Sequence, residues 1–309
     1  MQKQSPMNTL IYIFGEVLFD HFPDGSRILG GAPFNVAWHL QAFGLSPQLI
    51  SRIGDDADGQ VIKDLMVDWG MSQVALQSDS QHPTGRVKIE FQDGEPCYEI
   101  IVDSAYDFID PELMPEIGRQ KVTQPLTQET TQSFLYHGSL ALRNPIALKA
   151  LNELKARHQG YIFMDVNLRA PWWSRDTLLP LLHDATWVKL NEQELSELGS
   201  EASSLELAIQ QFGEKFDLEG VIVTLGERGA IVYSNQEFIS VQPNVKAQVV
   251  DTVGAGDAFA SVFLLGLSQQ WPIATTLERA QAFAAELVTR RGATIADAEF
   301  YRTFSQDWD

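Results

Sequence analysis

Short apolar runs recur along the chain at residues 10–14, 49–53, 134–137, 161–165, 187–190 and 221–225, each the length of a buried strand. Helical spacing fills the gaps: Val36, Leu40 and Phe43 follow Pro33, and Val61, Leu65 and Trp69 follow Asp58. This alternation predicts an α/β fold, a doubly wound and mostly parallel sheet flanked by helices, with right-handed crossovers. One stretch departs from it. Residues 86–91 and 98–102 alternate as strands around Asp93-Gly94, a hairpin-turn dipeptide, and residues 17–22 form another extended candidate before Pro23-Asp24-Gly25. Segments 16–28 and 84–103 are therefore expected to build one small β-sheet outside the main one. It is either a lid over a ligand crevice or a surface decoration. No repeat, low-complexity tract or linker divides the chain, so residues 1–309 read as one domain with that sheet inserted.

Composition narrows the partners. The 309 residues are 44% hydrophobic and 20% charged, ordinary for a globular chain able to bury a large core. With 41 acidic against 22 basic residues the formal charge is −19, which opposes binding to nucleic acid or an anionic membrane. An anionic ligand would need local positive potential from another source. Cys97 is the sole cysteine, so no intrachain disulfide forms, and the apolar run at 10–14 is too short for a signal-peptide core or a membrane helix. A cytoplasmic address is the expectation. The six histidines show no zinc-ligand spacing, and no Gly-x-Ser-x-Gly elbow supports acyl hydrolysis.

Chemistry is suggested near the C-terminal end, where Val249-Val250-Asp251-Thr252-Val253-Gly254-Ala255-Gly256-Asp257 runs into the apolar segment 258–265. Gly254, Ala255 and Gly256 carry almost no side chain, so their N–H groups can converge at a helix N-terminus whose dipole adds positive potential. This is an anion cradle made without lysine. It is not a P-loop, since no Gly-Lys-Ser/Thr follows, nor a Rossmann turn, since Phe259 occupies the third glycine's place. Asp257 either caps a buried helix or accepts a proton from an attacking hydroxyl beside a bound phosphate. The helix N-terminus is expected to keep its pKa low and make it a weak base.

Two strings together resemble the ribokinase-like (PfkB-type) carbohydrate kinases, closest to the fructokinases. They are Gly30-Gly31-Ala32-Pro33-Phe34-Asn35-Val36-Ala37, with Leu40 and Gly44, and Asp251-Thr252-Val253-Gly254-Ala255-Gly256-Asp257-Ala258-Phe259. Between them Gly54-Asp55-Asp56-Ala57-Asp58-Gly59, Pro83-Thr84-Gly85, Asp165-Val166-Asn167-Leu168-Arg169, Asn191-Glu192-Gln193-Glu194 and Thr224-Leu225-Gly226-Glu227-Arg228-Gly229-Ala230 fall where the family has equivalents. The resemblance implies transfer of the γ-phosphoryl of ATP to a sugar hydroxymethyl group beneath a β lid. It makes Asp257 the catalytic base and Gly254, Ala255 and Gly256 the anion hole. Asp20, Gly31 and Asn35 become sugar-binding positions, although Asp20 alone reads as a turn residue; Arg169, expected at the carboxyl edge of the sheet, either contacts substrate or a phosphate or forms an exposed ion pair. Asn191 and Glu194 resemble the pair that organises Mg2+ through water, and their spacing equally fits a helix cap with its capping-box partner. Thr224, Gly226 and Gly229 resemble the nucleotide-side loop, or else form a tight strand-to-strand turn; Asp251 and Thr252, near Gly292, resemble a K+ site.

The Asn167-Leu168-Arg169 segment matches the fructokinases, so the expected acceptor is D-fructose, phosphorylated on O6. Ribose, 2-keto-3-deoxygluconate and a nucleoside remain as alternatives, as does a non-catalytic sugar- or nucleotide-sensing protein on the same fold. Phe34 and Trp38 depart from the small residues usual beside the sugar motif and are candidates to reshape the pocket; Trp172 and Trp173 either stack on sugar or pack in the core. The partners expected are sugar and ATP, with a homodimer through the lid edge also conceivable.

Overall fold

The computed structural model describes residues 9–92, 95–114, 132–199, 201–243, 249–306 and 308. In chain order the elements are β1 Leu10–Phe14, β2 Leu18–His21, β3 Arg27–Gly30, α1 Ala32–Ala42, β4 Gln48–Gly54, α2 Ala57–Asp68, β5 Leu76–Asp79, β6 Gly85–Gln92 and β7 Glu95–Ile100. There follow β8 Ser133–His137, α3 Pro145–Arg157, β9 Tyr161–Asp165, α4 Arg175–Asp184, β10 Trp187–Asn191, α5 Glu192–Leu198, α6 Leu205–Phe216 and β11 Gly220–Thr224. The chain closes with β12 Ala230–Ser234, β13 Glu237–Val241, α7 Ala255–Ser268, α8 Ile273–Leu287 and α9 Ala298–Ser305.

The main sheet has the order β13-β12-β11-β10-β9-β8-β1-β4-β5. Every pairing from β11 to β5 is parallel, and β12 and β13 add an antiparallel edge hairpin. The central strands are apolar on both faces because helices cover both. One core layer joins Ile13, Phe34, Trp38, Phe263 and Phe283; the other joins Phe14, Leu135, Leu151, Leu190 and Phe212. Helix starts follow local chemistry: Pro33 lies in the first turn of α1, and the Asp56 carboxylate accepts from Gly59 N–H at the head of α2. None of the described helices is long and apolar enough to cross a membrane.

The predicted second sheet is present, with the order β3-β2-β6-β7, built from both expected segments; Asp93-Gly94 lies outside the described residues. One face, with Leu18, Val87 and Ile89, packs on Tyr106, Leu140 and Trp172. The other presents His21, Arg27 and Arg86 to a single buried carboxylate, Asp58 on α2. Three strands therefore share one anionic anchor.

Some elements differ from the sequence expectation. The run at 221–225 is a strand one residue earlier, Gly220–Thr224. The edge strand Leu76–Asp79 was not foreseen because three of its four residues are polar, and the β12–β13 hairpin turns at Asn235-Gln236, both at positive φ rather than at a glycine. Phe34 and Trp38 lie beside the sugar motif on α1. Both are buried in the core, where Trp38 stacks on Trp69 with ring centroids 4.6 Å apart.

Candidate active site

The strand order reverses at β1, with β4 on one side and β8 on the other, and such a switch point opens a crevice at the carboxyl ends of the strands. Around it gather the loop after β1, the start of α1, the loop after β9, the end of β10 and the N-terminus of α7. Gly31, Asn35, Arg169, Asn191 and Gly254 to Asp257 fall on these elements, whereas Asp20 lies on β2 and Thr224, Gly226 and Gly229 at the β11–β12 turn.

Gly254 is the N-cap of α7, at φ +80°, and a Cβ there would lie 2.6 Å from Ala293 Cα. Only glycine fits that backbone in that space. Asp257 is not the cap. It sits in the first helical turn, and its Oδ2 accepts from Asn35 Nδ2 at 2.8 Å, a bond between segments 222 positions apart. Burial pushes the Asp257 carboxyl up to about 6; Asp165 adds to this, while the Asn35 bond, Lys189 and Arg169 oppose it. The expectation of a depressed pKa is corrected, because lost solvation outweighs the helix N-terminus. Asp257 is thus a stronger base than an ordinary aspartate. Gly254→Ala is expected to cost about 2–4 kcal/mol of stability, from left-handed strain plus the clash with Ala293. Urea unfolding checks this, and an unchanged midpoint would contradict the geometry.

A buried ion pair lies close to the cradle. Lys189 Nζ on β10 donates to Asp165 Oδ1 at 3.0 Å and Oδ2 at 2.8 Å, and Tyr136 Oη donates to the same carboxylate at 3.3 Å. A Cβ on Gly256 would lie 3.4 Å from Lys189 Nζ, so the ammonium sits close to the backbone at the head of α7. Burial works against its charge, but Asp165, with Glu194 and Asp257 behind it, holds its pKa above the ordinary lysine value. Sequence reasoning did not single out Lys189; the signal was a charged residue inside an otherwise apolar strand.

Asn191 caps α5 and Glu194 completes its capping box: Asn191 Oδ1 accepts from Glu194 N–H at 2.9 Å, and Glu194 Oε2 from Asn191 N–H at 2.8 Å. Glu194 Oε1 also accepts from Leu168 N–H at 2.7 Å, tying the loop after β9 to the first turn of α5. Burial raises the Glu194 pKa. With each oxygen already holding one N–H and keeping a second lone pair, the pair fits a hydrated cation through water better than direct ligation. Thr224 is in register beside Asn191, and Gly226 and Gly229 close the tight β11–β12 turn, where Leu225 N–H donates to Gly229 O at 2.8 Å.

Asp20 shares the inward face of β2 with Leu18, and burial pushes its carboxyl up to about 6. Gly31 is the N-cap of α1. Arg169 is exposed, with Nη1 donating to Leu168 O at 3.1 Å, yet its charge reaches Asp257. Asp251 accepts from Val253 N–H at 3.0 Å and Gly292 N–H at 3.1 Å, which brings Asp251, Thr252 and Gly292 together. Trp172 packs against the small sheet's core and Trp173 against the main one. Among the described residues no cluster of three or more His, Cys, Asp or Glu side chains forms a metal site.

A doubly wound sheet with a helix-terminal anion cradle and a second, smaller sheet defines the ribokinase-like class of phosphotransferase fold. Residues 9–299 match the sequence profile described as "pfkB family carbohydrate kinase", and the chain belongs to that family. It is 29% identical to a fructokinase of Klebsiella pneumoniae over 94% of this chain and 96% of the relative. Among solved structures, a Vibrio cholerae fructokinase double mutant in its fructose, ADP and potassium ion bound form superposes with a TM-score of 0.82 at 25% identity, covering 97% of this chain and 99% of that one. Aminoimidazole riboside kinase from Salmonella enterica, complexed with aminoimidazole riboside and an ATP analogue, superposes with a TM-score of 0.79 at 26% identity, covering 96% and 100%.

Proposed function

We propose that this carbohydrate kinase transfers the γ-phosphoryl of ATP to the 6-hydroxymethyl oxygen of D-fructose. The observation that carries the reading is Asp257, oriented by Asn35 at the mouth of a backbone anion cradle. The Asp257 carboxylate takes the hydroxyl proton, the freed oxygen attacks the γ-phosphorus, and ADP leaves with the bridging oxygen. The N–H groups of Gly254 and Gly256, with Lys189 Nζ close to Gly256, are the donors offered to the charge on the transferring group, whereas Ala255 N–H, expected to join them, is taken by Thr252 O at 3.3 Å. Asn35, Gly31, Asp20 and Arg169 orient the sugar, and Thr224, Gly226 and Gly229 border the nucleotide. Mg2+ accompanying ATP, held from the Asn191 and Glu194 side through water, supplies charge neutralisation at the phosphates. Asp251 and Thr252 are the candidates for a K+ site. The fructokinases named above support fructose, and the riboside kinase is a relative with a different acceptor.

A panel of D-fructose, D-ribose, 2-keto-3-deoxygluconate and a nucleoside, each with ATP and magnesium, tests the choice, with and without potassium. Fructose is expected to give the highest kcat/KM. Calorimetric sugar binding without ATP consumption would instead favour a sensing protein on this fold.

The small sheet acts as the lid in this reading. Fructose plus a non-hydrolysable ATP analogue is expected to slow amide hydrogen exchange in residues 86–91 and 98–102. Unchanged exchange there would contradict closure.

A further inference from the structure

Glu16 Oε2, Asn35 Oδ1 and Arg143 Nη1 are among the buried polar atoms that have no hydrogen-bond partner among the described residues. Protein interiors pair almost all such atoms, so three in one region mark a place where a ligand completes the bonding. Glu16 leaves the end of β1, and its backbone walls the sugar motif: a Cβ on Gly31 would lie 2.7 Å from Glu16 O. Asn35 is one turn further along α1, with its amide nitrogen already committed to Asp257.

Arg143 approaches from the other side of the switch point, on the 3-10 turn that follows β8. Its Nε and Nη2 grip Asp107 at 2.7 and 2.8 Å, and Nη2 also donates to Ile101 O at 2.7 Å and Tyr106 Oη at 3.0 Å. Its guanidinium lies over Trp172, 4.8 Å from the ring centroid. The group cannot turn, so Nη1 is a fixed donor. The two sides meet at Gly85, where a Cβ would lie 2.6 Å from the Tyr106 ring and 2.8 Å from Val17 O, the carbonyl next to Glu16. Burial pushes the Glu16 carboxyl up to about 7, with Asp257 adding to this and its own backbone N–H, Arg169 and Arg143 opposing it, so its charge is carried above that pH.

We propose that Glu16 and Arg143 are specificity-determining residues that bind hydroxyls of an uncharged sugar, and that Glu16 disfavours sugar acids at this site. The inference rests on the sugar-kinase reading and names the acceptor's chemical class. Asp107 compensates the Arg143 charge, leaving Nη1 a directional donor suited to a hydroxyl oxygen. Glu16 Oε2 and Asn35 Oδ1 accept hydroxyl hydrogens. A ligand carboxylate placed here would face both Glu16 and Asp257.

The test compares wild type, Glu16→Gln and Glu16→Ala on D-fructose, its 1-, 3- and 4-deoxy analogues and 2-keto-3-deoxygluconate, with KM and kcat resolved. Glu16→Ala is expected to raise KM for fructose about 30-fold, with kcat within about threefold and KM for ATP unchanged. One deoxy analogue should no longer distinguish wild type from Glu16→Ala. Glu16→Gln, which keeps hydrogen-bonding capacity without charge, should raise relative kcat/KM for the sugar acid at least about tenfold. Melting temperature should hold or rise, because a buried carboxyl oxygen without a protein partner has been removed. An unchanged KM with a lowered melting temperature would overturn the assignment in favour of a structural role, as would a wild type that prefers the sugar acid through Arg169. Calorimetric affinities of the same proteins for fructose give the comparison without turnover, so loss of the kinase reading and loss of this one remain distinguishable.

Discussion

Asp257→Asn is expected to lower kcat for sugar phosphorylation by about 10³-fold while leaving KM for sugar and ATP within a few-fold. The substitution keeps the shape of the side chain and an oxygen able to accept from Asn35, so the helix start and the cradle persist. What it removes is the group that receives the hydroxyl proton. In the wild type the same group sets the pH dependence. Its folded pKa is raised to about 6, so it holds a proton below that pH and is competent only above it. The kcat/KM profile should therefore fall about tenfold per unit below pH 6 and level above it, and that limb should vanish in Asp257→Asn. A folded variant with near-normal turnover would remove Asp257 from the mechanism.

Lys189→Met is expected to cost about 3–5 kcal/mol of stability by urea unfolding, because it strands the Asp165 carboxylate, 2% exposed, without its counter-ion. The double variant Lys189→Met/Asp165→Asn should recover most of that loss, since neither charge is then buried alone. Activity should not recover with it. The ammonium close to Gly256 contributes positive potential to the cradle, and the neutral pair supplies none. Equal stability of all three proteins would show that the pair is not the buried anchor its distances describe; restored turnover in the double variant would detach it from catalysis.

Much of the architecture was legible because the central strands are buried on both faces and read as continuous apolar runs, as at Tyr161–Asp165. Strands at the sheet's edges were harder: Leu76–Asp79 and Glu237–Val241 face solvent on one side and tolerate polar residues. In the candidate site, residues on contiguous strings, Asn35 and Gly254 to Asp257, were legible as candidates because local backbone chemistry constrains them. The Asn35–Asp257 bond itself spans most of the chain and has no local signature. Lys189, Glu16 and Arg143 were missed for a related reason. Each is a charged residue whose meaning depends on what it is buried against, and burial is a property of the fold rather than of the neighbouring sequence. The pKa of Asp257 was misjudged on the same ground, since its helix position was visible and its desolvation was not.

The −19 charge takes its place in this picture. It argues against polyanionic partners, while in the proposed function the head of α7 and the buried Lys189 would offer local positive potential to a phosphoryl group.

The central claim is tested most directly by product analysis after incubating the protein with D-fructose, ATP and magnesium, with phosphorus NMR resolving the phosphate esters. The account predicts stoichiometric ADP and fructose 6-phosphate from the wild type, and neither at a comparable rate from Asp257→Asn. ATP left intact, or hydrolysed to free phosphate with no sugar ester formed, would contradict it.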